Sequence, residues 1–316
     1  MNLSAGRFLV PVRYKASPYV AKFVRLFERV AERLGAQVVY CDDVRAEDLP
    51  ADCPFVVVLN PVIWCYSGGF RGLLSLPRSI RVIGLWDDIH QGKGGTKYLH
   101  SDRWVLTRFF RRCDVILCTY RAPFLRWYRW HADKLVHFPM FFSLEDFQDV
   151  AFNSTPIPKC ILSGSIDTFY PLRRFAARNP DVVVMAHPGY AAASPEGLPG
   201  TFGAAYAREL ARYRCGVTCS SVIGYAVAKY MELPAAGCLL LATYTPDLDL
   251  LGFQDGVNYI RVDEQTFDGK LAEILAGPEA FEPIRRAGFE LVRSRHADVH
   301  RAQTLERLIR EHCAAR

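Results

Sequence analysis

Short apolar runs alternate with longer stretches of helical spacing along almost the whole chain, and this alternation limits the fold most. "GRFLVPV" leads into "SPYVAKFVRLFERVAERLG", where Val20, Phe23, Leu26, Phe27 and Val30 recur at helical intervals and Gly35 supplies a stop. "AQVVYC", "PFVVVLN" and "IRVIGLW" read as further strands. A helix over "TKYLHSDRWVLTRFFRRC" precedes the strand "DVILCTY"; "RAPFLRWYRW" is helical and "KLVHFP" is a strand. "MFFSLEDFQDVAFNSTPIP" contains two prolines and has no clean period, so it reads as a linker.

The pattern then restarts. "KCILSG", "DVVVMAHPGY", "CGVTCSS", "CLLLAT" and "VNYIRVD" are strands, and "YPLRRFAARNP", "TFGAAYARELARYR" and "GYAVAKYMELPAAG" are helices. From Glu264 onward the chain reads as helix. Strands alternating with helices make parallel sheets. Two such runs in 316 residues predict an α/β chain of two Rossmann-like domains, residues 1–150 and 151–316, facing across a cleft. The final helix is free to pack back on the first domain.

Half of the residues are apolar and 23% are charged, an ordinary globular balance. No apolar run reaches the roughly 18 residues that span a bilayer, and the N-terminal stretch has no apolar signal core before Arg13 and Lys15. A cytoplasmic protein is expected. Most of the ten cysteines sit in strand-like runs and read as buried thiols. Cys215 and Cys219 share a strand face, but no second Cys/His pair at zinc-finger spacing completes a metal site. Residues 1–150 hold 21 Lys and Arg against 15 Asp and Glu, which accounts for the whole net charge of +6. The first half is therefore the one expected to meet something acidic.

Open parallel sheets bind ligands beyond the carboxyl ends of their strands. In the second half this directs attention to "SGSIDTFYPLRR", "HPGY", "SSVIGY" and "TYTPDLD", and in the first to "VRYKASP", "NPVIWCYSGG" and "WDDIHQGKGG". Gly164 would let a ligand approach the backbone, and Ser163, Ser165, Ser220 and Ser221 offer hydroxyls. The same serines could merely cap helices, at about 1 kcal/mol each. No GxGxxG follows the first strand and no GxxxxGK[ST] occurs, which removes the usual support for dehydrogenases and P-loop kinases. Lys229 and Glu232 stand one turn apart in the apolar "KYMELPAAGCLLLAT". They are either a surface pair worth a few tenths of a kcal/mol or a ligand contact.

"KYMELPAAGCLLLAT", "LGFQDGVNYIRVD", "IRRAGFELVRSRHADVHRA", "YPLRR" and "HPGY" together resemble the C-terminal half of GT-B fold glycosyltransferases, especially the spore-maturation and group 1 glycosyl transferases. The likeness covers most of residues 159–310; the first half matches only in pattern. It implies that residues 151–316 hold a nucleotide-sugar donor and residues 1–150 a hydroxyl acceptor, in glycan, glycolipid or cell-surface polysaccharide synthesis. Glu232 would accept the ribose hydroxyls and Lys229 would offset diphosphate charge. Arg173 or Arg174 would clamp a phosphate, with Gly164, Ser165, His187, Ser220 and Ser221 around the same donor.

Many retaining members carry a carboxylate where this chain has Gly224, so retention or inversion stays open. For an inverting reaction the candidate bases are Asp87, Asp88 and His90, which could equally cap a helix. The resemblance implies no metal and no cofactor besides the donor. An epimerase-like or non-catalytic sugar-nucleotide-binding protein is the alternative. His296 and His300 are expected to serve packing or the seam between domains.

Lys22, Arg25, Arg29 and Arg33 form one stripe of the first long helix, and Arg121, Arg126 and Arg129 interleave with Phe124, Trp127, Tyr128 and Trp130. That composition suits an anionic membrane surface and a lipid-linked acceptor. It equally suits aromatics that are core and arginines that only solvate helices. No nucleic-acid-binding motif accompanies it.

Overall fold

The computed structural model describes residues 2–60, 69–86, 100–187 and 202–314. The chain divides into two compact units, Met1–Pro139 with Val299–Arg316, and Met140–Asp298. The cut falls before residue 150, and the chain returns at its end to the first unit.

The first unit holds a six-stranded sheet of β1 (Arg7–Val10), β2 (Gln37–Tyr40), β3 (Phe55–Leu59), β4 (Arg81–Trp86), β5 (Val115–Cys118) and β6 (Leu135–His137). Its order is β2-β1-β3-β4-β5-β6, with every pair parallel. Strands β3 and β5 are buried at every position, which is why they read as unbroken apolar runs rather than alternating ones. The helices are α1 (Ala21–Leu34), α2 (Gly69–Ser75), α3 (His100–Arg112) and α4 (Arg121–Tyr128). The expected stripe of Phe23, Leu26, Phe27 and Val30 is buried on α1. Helix α2 is not among the helices expected from the sequence, although Phe70, Leu73 and Leu74 keep helical spacing. Trp86 closes β4 against Phe109 and Phe110, with centroids 5.7 and 4.7 Å away. The last helix, α11 (Asp298–Ala314), is tied to this unit: Arg301 Nε donates to the Pro139 carbonyl at 3.0 Å, and Glu306 lies 3.6 Å from Arg33.

The second unit holds β7 (Ile157–Leu162), β8 (Val182–Val184), β9 (Tyr213–Thr218), β10 (Leu239–Ala242) and β11 (Ile260–Arg261). They are ordered β11-β10-β9-β7-β8, again with every pair parallel. Around them lie α5 (Pro171–Ala176), α6 (Gly203–Leu210), α7 (Lys229–Ala235), α8 (Asp247–Leu251), α9 (Phe267–Ala276) and α10 (Glu282–Arg295). The chain leaves β7 toward β8 on one side and fills the other side with β9. The carboxyl ends of β7 and β9 therefore flank a topological switch point, the place where a crevice opens in such sheets.

The expected linker is a packed part of this unit. Phe141, Phe142, Phe147 and Val150 are buried. Arg293 Nη2 donates to the carbonyls of Phe147, Val150 and Ala235 at 3.1, 2.6 and 3.1 Å. Arg285 is fully buried and donates to the carbonyls of Asn153 and Gly237, each at 2.6 Å. Two arginines of α10 thus replace a regular hydrogen-bond ladder for an irregular segment, and they cap the end of α7 as well. All nine cysteines among the described residues are free, and eight of them are buried.

Candidate donor site

Helix α7 is shorter than its sequence pattern. Residues 221–228 form an irregular loop, and the helix starts only at Lys229. It sits tightly on β9 because Gly216 has no side chain: a Cβ there would lie 2.6 Å from Leu233 Cδ2. This seating makes every residue from Tyr230 to Ala235 buried, Glu232 among them at 9% exposure. Lys229 Nζ donates to Glu232 Oε2 at 2.7 Å. The pair is therefore largely removed from water, and the surface-pair reading does not describe it.

The partner of this pair is Tyr206, which the sequence did not single out. Its ring lies on α6 with Lys229 Nζ 4.5 Å from the centroid. Its hydroxyl is 2.9 Å from Ser163 Oγ, just beyond β7, and 3.3 Å from Glu232 Oε2. Burial, then the charge of Glu232, raises the phenol pKa well above its ordinary value, so the hydroxyl keeps its proton. A tyrosine among the apolar residues of a predicted helix is the signal that was available, because a buried phenol needs a polar partner.

Gly164 follows Ser163 with φ +98°, a conformation open to glycine. A Cβ on it would meet Arg173 Nη1 at 2.8 Å and Lys229 Cε at 3.7 Å. Of the two adjacent arginines, Arg174 points to solvent and Arg173 is buried, at 3% exposure. The Arg173 guanidinium donates to Thr218 Oγ1 from Nε and Nη2 at 3.2 and 2.9 Å, and from Nη1 to the Ser165 carbonyl at 3.3 Å. It stacks on Tyr170 at 4.1 Å. None of these partners is anionic, and no carboxylate among the described residues comes within ion-pair distance of Arg173. A buried cation without a counter-charge carries a desolvation cost that an arriving anion would offset.

His187, just past β8, is half-buried. Burial lowers its pKa, and the charges of Lys229 and then Arg173 lower it further against the pull of Asp167. It is therefore a neutral imidazole at pH 7, within electrostatic reach of both cations. The hydroxyls divide by role. Ser165 Oγ donates to Asp167 Oδ2 at 2.7 Å. The Ser220 amide donates to Thr243 Oγ1 at 2.8 Å, which in turn reaches Ser220 Oγ at 3.3 Å and ties the ends of β9 and β10. Ser221 is buried and accepts from the Ile223 amide at 3.2 Å, a turn within its own loop. Gly224 has open space around it.

Asp87, Asp88 and His90 lie outside the described residues. His296 is a packing residue: its ring bonds the Leu251 carbonyl at 2.9 Å and stacks on Phe253. His300 lies on α11. In the first unit Phe124 and Tyr128 are core, whereas Trp130 is 66% exposed, with Arg129 over its ring at 5.3 Å. Lys22, Arg25 and Arg29 are half-buried and Arg33 faces Glu306, so the stripe on α1 is not an open basic face.

No curated protein sequence matches the chain. A model of the family described as glycosyl transferase-like matches residues 172–307. Among solved structures, sucrose-phosphate synthase from Thermosynechococcus elongatus superposes with TM-score 0.71 at 12% identity, covering 98% of this chain and 99% of that one. HepE of Anabaena, in complex with UDP and glucose, gives 0.63 at 11% identity over 97% and 99%. A UDP-N-acetylglucosamine 2-epimerase gives 0.53 at 12% identity over 100% and 98%. Residues 172–307 are therefore similar to the glycosyl transferase-like family, and the chain as a whole takes the GT-B fold of the solved structures that it resembles.

Proposed function

We propose that the chain transfers a sugar from a nucleotide-sugar to a hydroxyl acceptor, with the donor held in the second unit. The observation that carries the reading is the buried Arg173, without a carboxylate partner among the described residues, beside Lys229 and Gly164 at the switch point of β7 and β9. A diphosphate is the anion that would neutralise Arg173 there, with Lys229, already paired to Glu232, close by, and a positive-φ glycine leaves room for it. Glu232 is bonded to Lys229 and, as a carboxylate, is chemically suited to accept ribose hydroxyls. Neutralising a leaving nucleoside diphosphate lowers the barrier to glycosidic-bond cleavage, because negative charge grows on it in the transition state. The similar HepE of Anabaena binds UDP and glucose, which makes UDP-sugars the first donors to try.

The acceptor falls to residues 1–150, with Asp87, Asp88 or His90 as the base if the reaction inverts. A glycan or a lipid-linked sugar is the acceptor class, and the exposed Trp130 with Arg126 and Arg129 supports an anionic membrane surface. The likeness to an epimerase supports a second reading, in which the donor sugar is altered without an acceptor.

A thermal-shift screen across UDP-, GDP-, ADP- and dTDP-sugars tests donor binding, because a ligand of the folded state raises Tm. Product analysis with the stabilising donor then separates the two readings. Sugar transferred to an added acceptor supports the transferase, a changed free donor supports the epimerase, and no stabilisation by any of them overturns both.

A further inference from the structure

The second unit contains a buried phenol that touches two charged members of the donor site, Lys229 and Glu232. Tyr206 comes from α6, Ser163 from the end of β7, and Lys229 and Glu232 from α7. Their atoms form one chain: Ser163 Oγ to Tyr206 Oη at 2.9 Å, Tyr206 Oη to Glu232 Oε2 at 3.3 Å, and Lys229 Nζ to Glu232 Oε2 at 2.7 Å. A phenol has a single proton to donate. The carboxylate can only accept, so that proton points at Glu232. Ser163 must then donate to the phenol oxygen. The direction Ser163 to Tyr206 to Glu232 is fixed by proton count.

Tyr206 and Lys229 donate to the same oxygen of Glu232, Oε2. Two donors on one oxygen, arriving from α6 and α7, restrict the rotation of the carboxylate plane. The face of the same ring carries Lys229 Nζ at 4.5 Å, a cation–π contact that limits where the ammonium can swing. The Ser163 end of the chain adjoins Gly164, whose missing side chain leaves room beside Arg173. One side chain therefore ties the glycine loop, the cation and the carboxylate together.

We propose that Tyr206 is a positioning residue of the donor site: its hydroxyl orients Glu232 toward the ribose, and its ring holds Lys229 for the diphosphate. This rests on the donor-site reading of the second unit. It adds that ribose and phosphate recognition are coupled through one residue, which need not touch the donor. The two halves of the phenol are separable. Tyr206→Phe removes the hydroxyl and keeps the ring. Tyr206→Leu removes both.

The test is calorimetric titration of the full chain with UDP, GDP, ADP and dTDP, continued with whichever binds. Tyr206→Phe is expected to weaken that nucleoside diphosphate roughly tenfold, the scale of one charged hydrogen bond. Tyr206→Leu is expected to weaken it further through the lost cation–π contact. In the Glu232→Ala background Tyr206→Phe is expected to cost less than about twofold, because its action runs through the carboxylate. A merely structural tyrosine would cost the same in both backgrounds, and that result overturns the proposal. So does full affinity in Tyr206→Phe. If Tyr206→Phe does not fold, Ser163→Ala, which removes only the donor to the phenol, must show the same non-additivity with Glu232→Ala, or the proposal fails. If the unaltered protein binds none of the four probes, the donor-site reading falls first and the positioning role with it.

Discussion

Lys229 and Glu232 are joined by a 2.7 Å ion pair on the first turn of α7, the helix whose Leu233 packs on Gly216 of β9. The sequence alone allowed a solvated surface pair, since i,i+3 charges are common on helices. Packing decides otherwise. Gly216 admits Leu233, Leu233 seats the helix, and the pair comes to lie under Tyr206 rather than in water.

Arg173 gives the first prediction. Arg173 is a buried cation with no carboxylate partner among the described residues, and replacing it relieves desolvation, so Arg173→Met should leave folding stability within about 1 kcal/mol of the parent or raise it. Nucleoside diphosphate affinity should fall roughly 10- to 100-fold, as charged hydrogen bonds are lost. Urea denaturation and calorimetry on one preparation check both. A large loss of stability with affinity retained would make Arg173 a purely structural residue.

Gly164→Ala gives the second. At φ +98° an alanine is strained by roughly 1–3 kcal/mol, and its Cβ would crowd Arg173 Nη1. Diphosphate binding should weaken more than binding of the bare nucleoside. Titration with UDP and uridine, or the matching pair for the preferred base, measures the ratio, and an equal loss for both would place the phosphate elsewhere.

Asp88→Asn should cut turnover by roughly 10²–10⁴ with little change in donor affinity if Asp88 is the base of an inverting reaction. Asp87→Asn and His90→Gln need the same kinetics, since the sequence does not rank the three. Full rates in all three remove the base from residues 87–90.

His137 makes stability depend on pH. Burial, and then the charges of Arg301 and Arg121, lower its pKa from 6.5 to about 4. The unfolded chain therefore takes up a proton that the folded chain refuses. Stability from this group is complete above about pH 6.5, is lost as pH falls toward about 4, and amounts to about 3 kcal/mol in full. Urea denaturation at about pH 7 and about pH 4.5 should show the loss, and His137→Asn should flatten it. An unchanged slope in that variant assigns the acid sensitivity to other groups.

The sheets were legible because a strand covered on both faces must be apolar throughout, as "PFVVVLN" and "CLLLAT" are. The irregular parts were not. "GYAVAKYMELPAAG" has helical spacing, yet only its second half is helix, because Tyr225, Ala226 and Val227 are buried in a loop instead. The segment after Met140 read as a linker because its order comes from Arg285 and Arg293, far along the chain. Glu232, Lys229 and Gly164 could be singled out from position and resemblance. The choice between Arg173 and Arg174 could not, since it depends on which face of α5 meets Thr218. Tyr206 was hidden because its partners lie 43 and 26 residues away.

The exposed Trp130 with Arg126 and Arg129 predicts salt-sensitive binding to anionic but not neutral vesicles. Arg126→Glu with Arg129→Glu should abolish co-sedimentation, each arginine being worth about 1 kcal/mol at such a surface. Equal sedimentation with both vesicle types, or with neither, would leave a soluble acceptor.

The most direct test is calorimetric titration of the unaltered protein and Glu232→Ala with the nucleoside diphosphate that best stabilises the fold. Loss of the charged hydrogen bonds should weaken binding in Glu232→Ala by about 1–3 kcal/mol, with the variant still folded. Equal affinity in the two proteins would contradict a donor site built around Glu232 on α7.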